Sequence, residues 1–390
     1  MLDTVVIVMS EGFNIMQPEL FEPSAKILTD GNSYLGGRGY IQCKQNPTKA
    51  ELRAGIYKPR LTYTKRFIGA GRFGLSLKIE LSLPKLIHGN NFDELSDVDF
   101  DKVVSKLQKI LKEQMGVWIF EDILANAPIS TVHYSKNMPL TDGRRPKYWL
   151  DILAEANSSR ILDTNKADYR NNGHLFKLHA KSYEIAFYDK IRDLKRAKIT
   201  DNRAFGRGNE IQLSLLDSFE ERKSFFEVLR FEIRLNTRQK IRSIFKKLNI
   251  DSKPTLKDVF SSETALKVLN YYLDEIRSKR PALFDYKRSS AKQFLSEVYI
   301  SNPKLSPRKI FQLLGIKVAF DEMGMRETRE MLAGYTDRTW YRLVSEVNKT
   351  SFPNRIDPLL ELKEKLAIYE PIHLIDYEDI LINNDKNEAN

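Results

Sequence analysis

Between residues 75 and 83 the chain alternates without a break. Leu75, Leu77, Ile79, Leu81 and Leu83 are apolar, and Ser76, Lys78, Glu80 and Ser82 between them are polar. Successive side chains of a strand point to opposite faces, so this run predicts a strand with one buried and one solvent-facing side. A neighbouring strand is expected over residues 61–67, joined by the turn Gly69-Ala70-Gly71. Strands are also expected over residues 4–9, 129–135, 175–189 and 228–235. Residues 117–119 suit either a short strand or a helix continuation. An amphipathic helix is expected over residues 99–114, with Val103, Val104, Leu107, Ile110 and Leu111 as its apolar stripe and Gly116 as its stop. This order predicts an α+β domain to about residue 250, with a mainly antiparallel sheet and helices on one face.

From Pro254 the period becomes helical. Residues 256–260, 262–278 and 290–299 read as helices. Another follows Ser306-Pro307, where serine suits the cap and proline the first turn. Residues 326–333, Gly334 and residues 337–348 fit both a helix–turn–helix and a plain helical hairpin. The second helix would show Arg338 and Arg342 beside a stripe of Trp340, Leu343, Val344 and Val347. The expected organisation is an α+β domain over residues 1–250, a smaller all-α domain over 251–375, and a disordered acidic tail over 376–390.

Sixty-three Lys and Arg against 52 Asp and Glu leave a net charge of +11. The surplus gathers at Arg144 to Lys147, at Lys190, Arg192, Lys195, Arg196, Lys198, Arg203 and Arg207, and at Arg238 to Lys247. Clustered cations suit a polyanion, of which nucleic acid is the commonest. Cys43 is the single cysteine, so neither an internal disulfide nor a zinc site built on several thiolates can form. The expected compartment is the reducing cytoplasm. No signal peptide or membrane span is expected. P-loop, GxGxxG, HExxH and zinc-finger spacings are missing, which removes motif support for a nucleotide-driven motor or a hydride-transfer enzyme.

The candidate chemistry lies in four segments. In the run from Lys181 to Lys198, strand alternation puts Glu184, Ala186, Tyr188 and Lys190 on one face and Tyr183, Ile185 and Phe187 on the other. Tyr188 is therefore a candidate nucleophile for a phosphodiester, with Lys190 as the cation that favours its phenolate. Most tyrosines on strands are merely half-buried, and this chain has 17. Glu80 and His133 stand on polar strand faces and are candidate ligands for a divalent cation, provided their strands are neighbours. Parity separates His174 from His179. In VLRFEIRLNTR, Glu232 lies between Arg230 and Arg234. That suits a surface salt ladder, a support for Lys190, a metal ligand, or a phosphate contact through the arginines.

These segments, in order, resemble the gene II replication proteins of filamentous phages. MLDTVVIV is similar to that family's first strand, and LKIELSLPKLIHGNNF to its Glu-bearing strand. YEIAFYDK is similar to its nucleophile segment, and VLRFEIRLNTR to its Arg-Phe-Glu strand. SPRKIFQLLG and RTWYRLVSEV resemble its helical tail. ISTVHYS departs from the pattern, with His133 in place of an acidic residue.

The resemblance implies a rolling-circle replication initiator of a phage or plasmid, with a nuclease domain of the broad HUH class. This chain has no HxH. The implied enzyme nicks one strand of a double-stranded origin. Tyr188 takes the 5′ phosphate, Lys190 and Glu232 support it, and Mg2+ or Mn2+ polarises the phosphate. Single-stranded DNA and the host helicase and polymerase are the implied partners. Arg192, Lys195, Arg196, Arg230, Arg234, Arg338 and Arg342 are the expected DNA contacts. The alternative is a sequence-specific DNA-binding regulator without catalysis, in which Tyr188 is structural.

Overall fold

The computed structural model describes residues 1–29, 39–70, 72–140, 143–154, 167–170, 173–196, 227–251, 253–280, 282–286, 290–353, 357–368 and 370–373. The fold is α+β, as expected. Its strands are β1 (Leu2–Met9), β2 (Asn14–Ile15), β3 (Tyr40–Gln45), β4 (Arg60–Gly69), β5 (Arg72–Ser82), β6 (Val117–Trp118), β7 (Ile129–Leu140), β8 (Ala167–Arg170), β9 (Leu175–His179), β10 (Tyr183–Asp189) and β11 (Glu227–Leu235). Every described element after β11 is helical, so the expected change of period is present. Lys198, Arg203, Arg207, Gly71 and the acidic tail lie outside the described residues.

The chain divides into two compact units, each made of separate stretches. One holds Met1–Pro139, Lys190–Leu269 and Tyr369–Asn390; the other holds Leu140–Asp189 and Asn270–Ile368. The units do not part at residue 250. Ile129 N–H donates to Pro254 O at 3.3 Å and Leu256 N–H donates to Ala127 O at 3.0 Å, while Leu256, Val259 and Phe260 are buried in the first unit. A strand-to-helix change marks where the backbone period changes. It does not mark where a core ends.

In the first unit the strand order is β3-β4-β5-β1-β7-β11. The alternating run of β5 does what its pattern predicts, since Leu77, Ile79 and Leu81 are buried. They pair with Met9, Ile7 and Val5 of β1, and Val5 pairs in turn with Val132 of β7. Burying each such side chain contributes roughly 1.5–3 kcal/mol. The opposite face carries the rows Ser82–Thr4–His133 and Glu80–Val6–Thr131, polar except at Val6. Leu83, expected to end the strand, instead opens a helix, Leu83–His88, because Pro84 suits a first helical turn.

The helix Phe100–Met115 buries the predicted stripe together with Met115. Ser96 and Asp99 cap the turn that leads into it, with Ser96 N–H donating to Asp99 Oδ2 at 2.9 Å. Gly116 ends it in the left-handed region, at φ 62°. A Cβ on Gly116 would stand 2.4 Å from Gln17 Cβ, and Gly116 O accepts from the amides of Met16 and Gln17. Gly116→Ala is therefore expected to destabilise the protein by more than ~1 kcal/mol, read as a lowered denaturant midpoint.

In the second unit β8, β9 and β10 form antiparallel pairs, so the segment expected as one strand over residues 175–189 is a hairpin. Its helices enclose a core that includes Tyr286, Phe294, Leu313, Phe320, Trp340 and Val344. Ser306 caps the helix Pro307–Met331, accepting from the Lys309 amide. Gly324, at φ 75° and ψ 168°, breaks that helix. This backbone conformation is essentially reserved for glycine. The segment after the break, the turn, and the helix Asp337–Asn348 match the elements expected for a helix–turn–helix or a hairpin. No described helix is long and apolar enough to cross a membrane.

Candidate active site

The polar face of the first unit is organised by an irregularity at the start of β1. Leu2 pairs with Tyr134 and Thr4 with His133, so β1 holds one extra residue, Asp3, against β7. A bulge of this kind re-aims a side chain. Asp3 turns to the face of Ser82, whose hydroxyl donates to its Oδ1 at 3.3 Å. Its Oδ2 accepts from Arg230 Nη2 at 2.8 Å.

Arg230 comes from β11 and is buried. Besides Asp3 it donates to Ser135 Oγ at 2.8 Å, Asn91 O at 3.0 Å and Asn137 Oδ1 at 3.2 Å. Glu232, two residues on, is buried as well. Its Oε1 accepts from Arg234 Nε at 2.8 Å and lies 3.8 Å from His133 Nδ1. Lys190 completes the group. It is fully buried, with its ammonium nitrogen 3.8 Å from Asp193 Oδ2.

Two carboxylates and two cations thus share a largely buried region, with Arg234 and His133 at its edge. The electrostatics follow from burial. For Lys190, burial and then the neighbouring Arg230 lower the pKa to about 7, against the pull of Asp193, Asp3 and Glu232. Burial raises the Asp3 pKa, but Arg230, Lys190 and His133 together hold it below the ordinary value. Burial lowers the His133 pKa, and Arg234 adds to this, although Glu232 opposes it.

Lys190 is consequently an amine that gains and loses a proton near neutral pH. Its folded pKa lies below its unfolded one, so between about 7 and 10.5 the unfolded chain binds more protons. Stability should therefore rise as pH increases through that window. At one pKa unit per ~1.4 kcal/mol, the rise from pH 7 to 9 is on the order of 2 kcal/mol. Lys190→Met is expected to remove this rise and to gain stability near pH 7. Denaturant midpoints measured across pH check it.

Several expectations change. Lys190 was expected beside Tyr188 on the strand, but β10 ends at Asp189 and residues 190–196 are helical. In that turn Leu194 is buried, while Arg192, Lys195 and Arg196 are exposed, as DNA contacts need to be. Arg230 was expected to touch DNA. It is instead buried, with its guanidinium spent on Asp3 and three further acceptors. Arg234 is half-buried and turned to Glu232. Arg338 and Arg342 are exposed on their helix.

Glu80 and His133 share a face but are not neighbours, because β1 runs between β5 and β7. Two strand spacings separate them sideways by roughly 9–10 Å. Glu80 is instead paired with Lys78 at 2.9 Å. These two residues do not compose an ion site. Among the described residues one group is able to hold a metal ion: His88, Asp93 and His373, whose ligand atoms lie within 4.8 Å of one another.

Asp3, Ser135 and Asn137 escaped the sequence reading. The available signal was Asp3 itself, a carboxylate inside a strand that is otherwise apolar save for Thr4.

In the second unit, Tyr188 is half-buried and pairs with Leu175. It shares its face with Glu184, which bonds to Lys177 at 2.7 Å and lies 3.7 Å from His179. On the other parity, His174 meets Asp189 at 3.2 Å, so the two histidines serve different carboxylates, as parity predicts. Tyr183 stacks near Tyr272 with ring centroids 5.3 Å apart, and burial raises its pKa, with Glu275 and Tyr271 adding to the rise.

Comparison with family models found no match, and comparisons with curated proteins and with solved structures found none either, so the fold and the site stand on this chain's own residues.

Proposed function

We propose that this chain is a rolling-circle replication initiator of the gene II kind, a DNA strand transferase that nicks an origin through Tyr188. The observation that carries the reading is Lys190. A lysine with a pKa near 7, two residues after a half-buried strand tyrosine, is matched to proton transfer at neutral pH. A surface lysine keeps its proton and cannot do this.

The step runs as follows. The phenol oxygen of Tyr188 attacks the scissile phosphorus, and the bond from phosphorus to the 3′ oxygen breaks. The 5′ phosphate stays on the tyrosine. The phenol proton leaves to solvent as the new bond forms, and the departing 3′ oxygen takes a proton from solvent to become the hydroxyl that a host polymerase extends. Rejoining reverses this, with a 3′ hydroxyl attacking the phosphotyrosine. Glu232 keeps His133 and Arg234 in place at the edge of the polar face.

Mg2+ or Mn2+, if bound, would supply charge withdrawal from the non-bridging oxygens. The pair Glu80 and His133 does not fit such an ion, so no step is assigned to it. DNA would be held by Arg192, Lys195 and Arg196. Arg238, Arg242 and Lys253, which line one surface pocket, add positive charge.

A second reading, a regulator without catalysis, rests on exposed Arg338 and Arg342 beside a turn between helices. Supercoiled DNA of the replicon, incubated with the protein and Mg2+ or Mn2+, separates the two. A denaturant-resistant protein–DNA adduct with relaxed DNA supports the transferase. Binding without adduct or relaxation sinks it and favours the regulator.

A further inference from the structure

The loop that follows the helix Leu83–His88 is built as though to present two ligands. Gly89, in the left-handed region at φ 76°, turns the chain away from His88. Asn90 Oδ1 then accepts from the amides of Phe92 and Asp93 at 2.8 and 2.9 Å, and its Nδ2 donates to Asp93 Oδ2 at 3.0 Å. The Asp93 carboxylate is thereby oriented by an outer-shell partner, as metal-binding carboxylates commonly are.

The third group arrives from the far end of the sequence. Glu94 N–H donates to Ile372 O at 3.0 Å, and Ile372 N–H donates to Glu94 Oε2 at 3.2 Å. This pairing sets His373 against His88, with ring centroids 5.4 Å apart. One nitrogen of His88, Nε2, is buried and has no hydrogen-bond partner. A buried polar atom left this way calls for an explanation, and a bound cation would satisfy it. The three side chains are half-buried, which leaves room for water in further coordination positions.

We propose that His88, Asp93 and His373 bind one divalent transition-metal ion of the zinc type, which clasps residues 370–373 onto the loop 88–93. Two imidazoles and one carboxylate favour zinc, cobalt or nickel over magnesium or calcium, which prefer all-oxygen sites. Bonds of ~2.0–2.2 Å bring donor atoms within roughly 4.4 Å of one another, a spacing that side-chain rotation in half-buried residues reaches from separations of up to 4.8 Å. Arg230 bonds Asn91 O in the same loop, but none of the three ligands belongs to the nicking residues, so the proposal does not rest on the nicking chemistry.

Full-length protein stripped by a chelator and titrated with Co2+ tests this, with visible absorption as the readout and Zn2+ as competitor. One equivalent per chain is expected. His88→Gln, Asp93→Asn and His373→Gln should each weaken binding by at least ~10-fold, the smallest loss usual for disturbing even an outer-shell partner. Melting of the metal-free variants beside metal-free wild type shows whether each is folded. His373→Gln alters only a half-buried side chain near the chain's end and is the variant to rely on if the others misfold. Hydrogen exchange at the Ile372 amide should slow when metal is bound. Sub-stoichiometric binding in wild type, affinity unchanged in folded His373→Gln, or Ile372 exchange indifferent to metal would each overturn the clasp.

Discussion

Tyr188→Phe is expected to abolish the covalent protein–DNA adduct while leaving affinity for duplex origin DNA within about twofold. The substitution removes one hydroxyl and keeps the ring that is half-buried on β10. Packing is therefore preserved and only the nucleophile is lost. Losing a nucleophile outright costs several powers of ten in rate, so residual nicking should fall by at least ~10^3-fold. The measurement is relaxation of supercoiled origin DNA, with adduct counted on a denaturing gel and affinity measured separately. Wild-type nicking by the variant would remove Tyr188 from the mechanism. Tyr183 is the nearest substitute on the chain, but burial raises its pKa, and Glu275 and Tyr271 raise it further. A phenol of that kind is a poorer source of phenolate than an ordinary one.

Arg230→Met is expected to have the largest effect on stability. Its guanidinium bonds Asp3, Ser135, Asn91 and Asn137, which joins β1, β7, β11 and the loop 88–93 in one unit. Removing it leaves the Asp3 carboxylate buried beside fewer cations. Breaking one partner of a buried ion pair typically costs ~3–5 kcal/mol, enough to leave many domains of this size barely folded. Urea denaturation measures the loss. Asp3→Asn combined with Arg230→Met should cost less than the sum of the two single changes, because the double variant leaves no charge stranded.

The pH response carries the same information. The Asp3 pKa is held below its ordinary value in the folded protein, so its contribution is present above the unfolded carboxylate range and is lost as pH falls through the folded value. Glu94 behaves alike: burial raises its pKa, but the Met1 amine and Lys136 outweigh that and hold it low. Acid unfolding of Arg230→Met should accordingly begin at a higher pH than that of wild type. An unchanged acid transition would mean that Arg230 does not govern Asp3.

How much of this was legible beforehand depends on the range of the interaction involved. The alternating run of β5, the stripe of the helix Phe100–Met115, the stop at Gly116 and the cap at Ser306 are local. Each depends on residues within a turn or two, and each was readable as such. The polar residues of β11 were also visible, but their meaning was not. The same alternation describes a solvent-facing salt ladder and a buried charge network, and only what covers the strand distinguishes them. On alternation alone Arg230 suits a DNA contact for this reason, although it is buried and bonded to Asp3.

The sequence by itself determined the α+β class, the sites of β1, β5, β7 and β11 and of the helix Phe100–Met115, and the basic surplus, because backbone period, capping and composition are properties of short stretches. Only the tertiary structure decided which of those stretches meet. It inserted β1 between β5 and β7 and so parted Glu80 from His133. It bulged β1 at Asp3, buried Lys190 among charges drawn from β1 and β11, and carried His373 to His88 across most of the chain's length. The physical reason is common to all of these. The pKa of an amine and the composition of an ion site are set by the charges and dielectric within a few ångströms, and those neighbours arrive from distant segments through strand order and register.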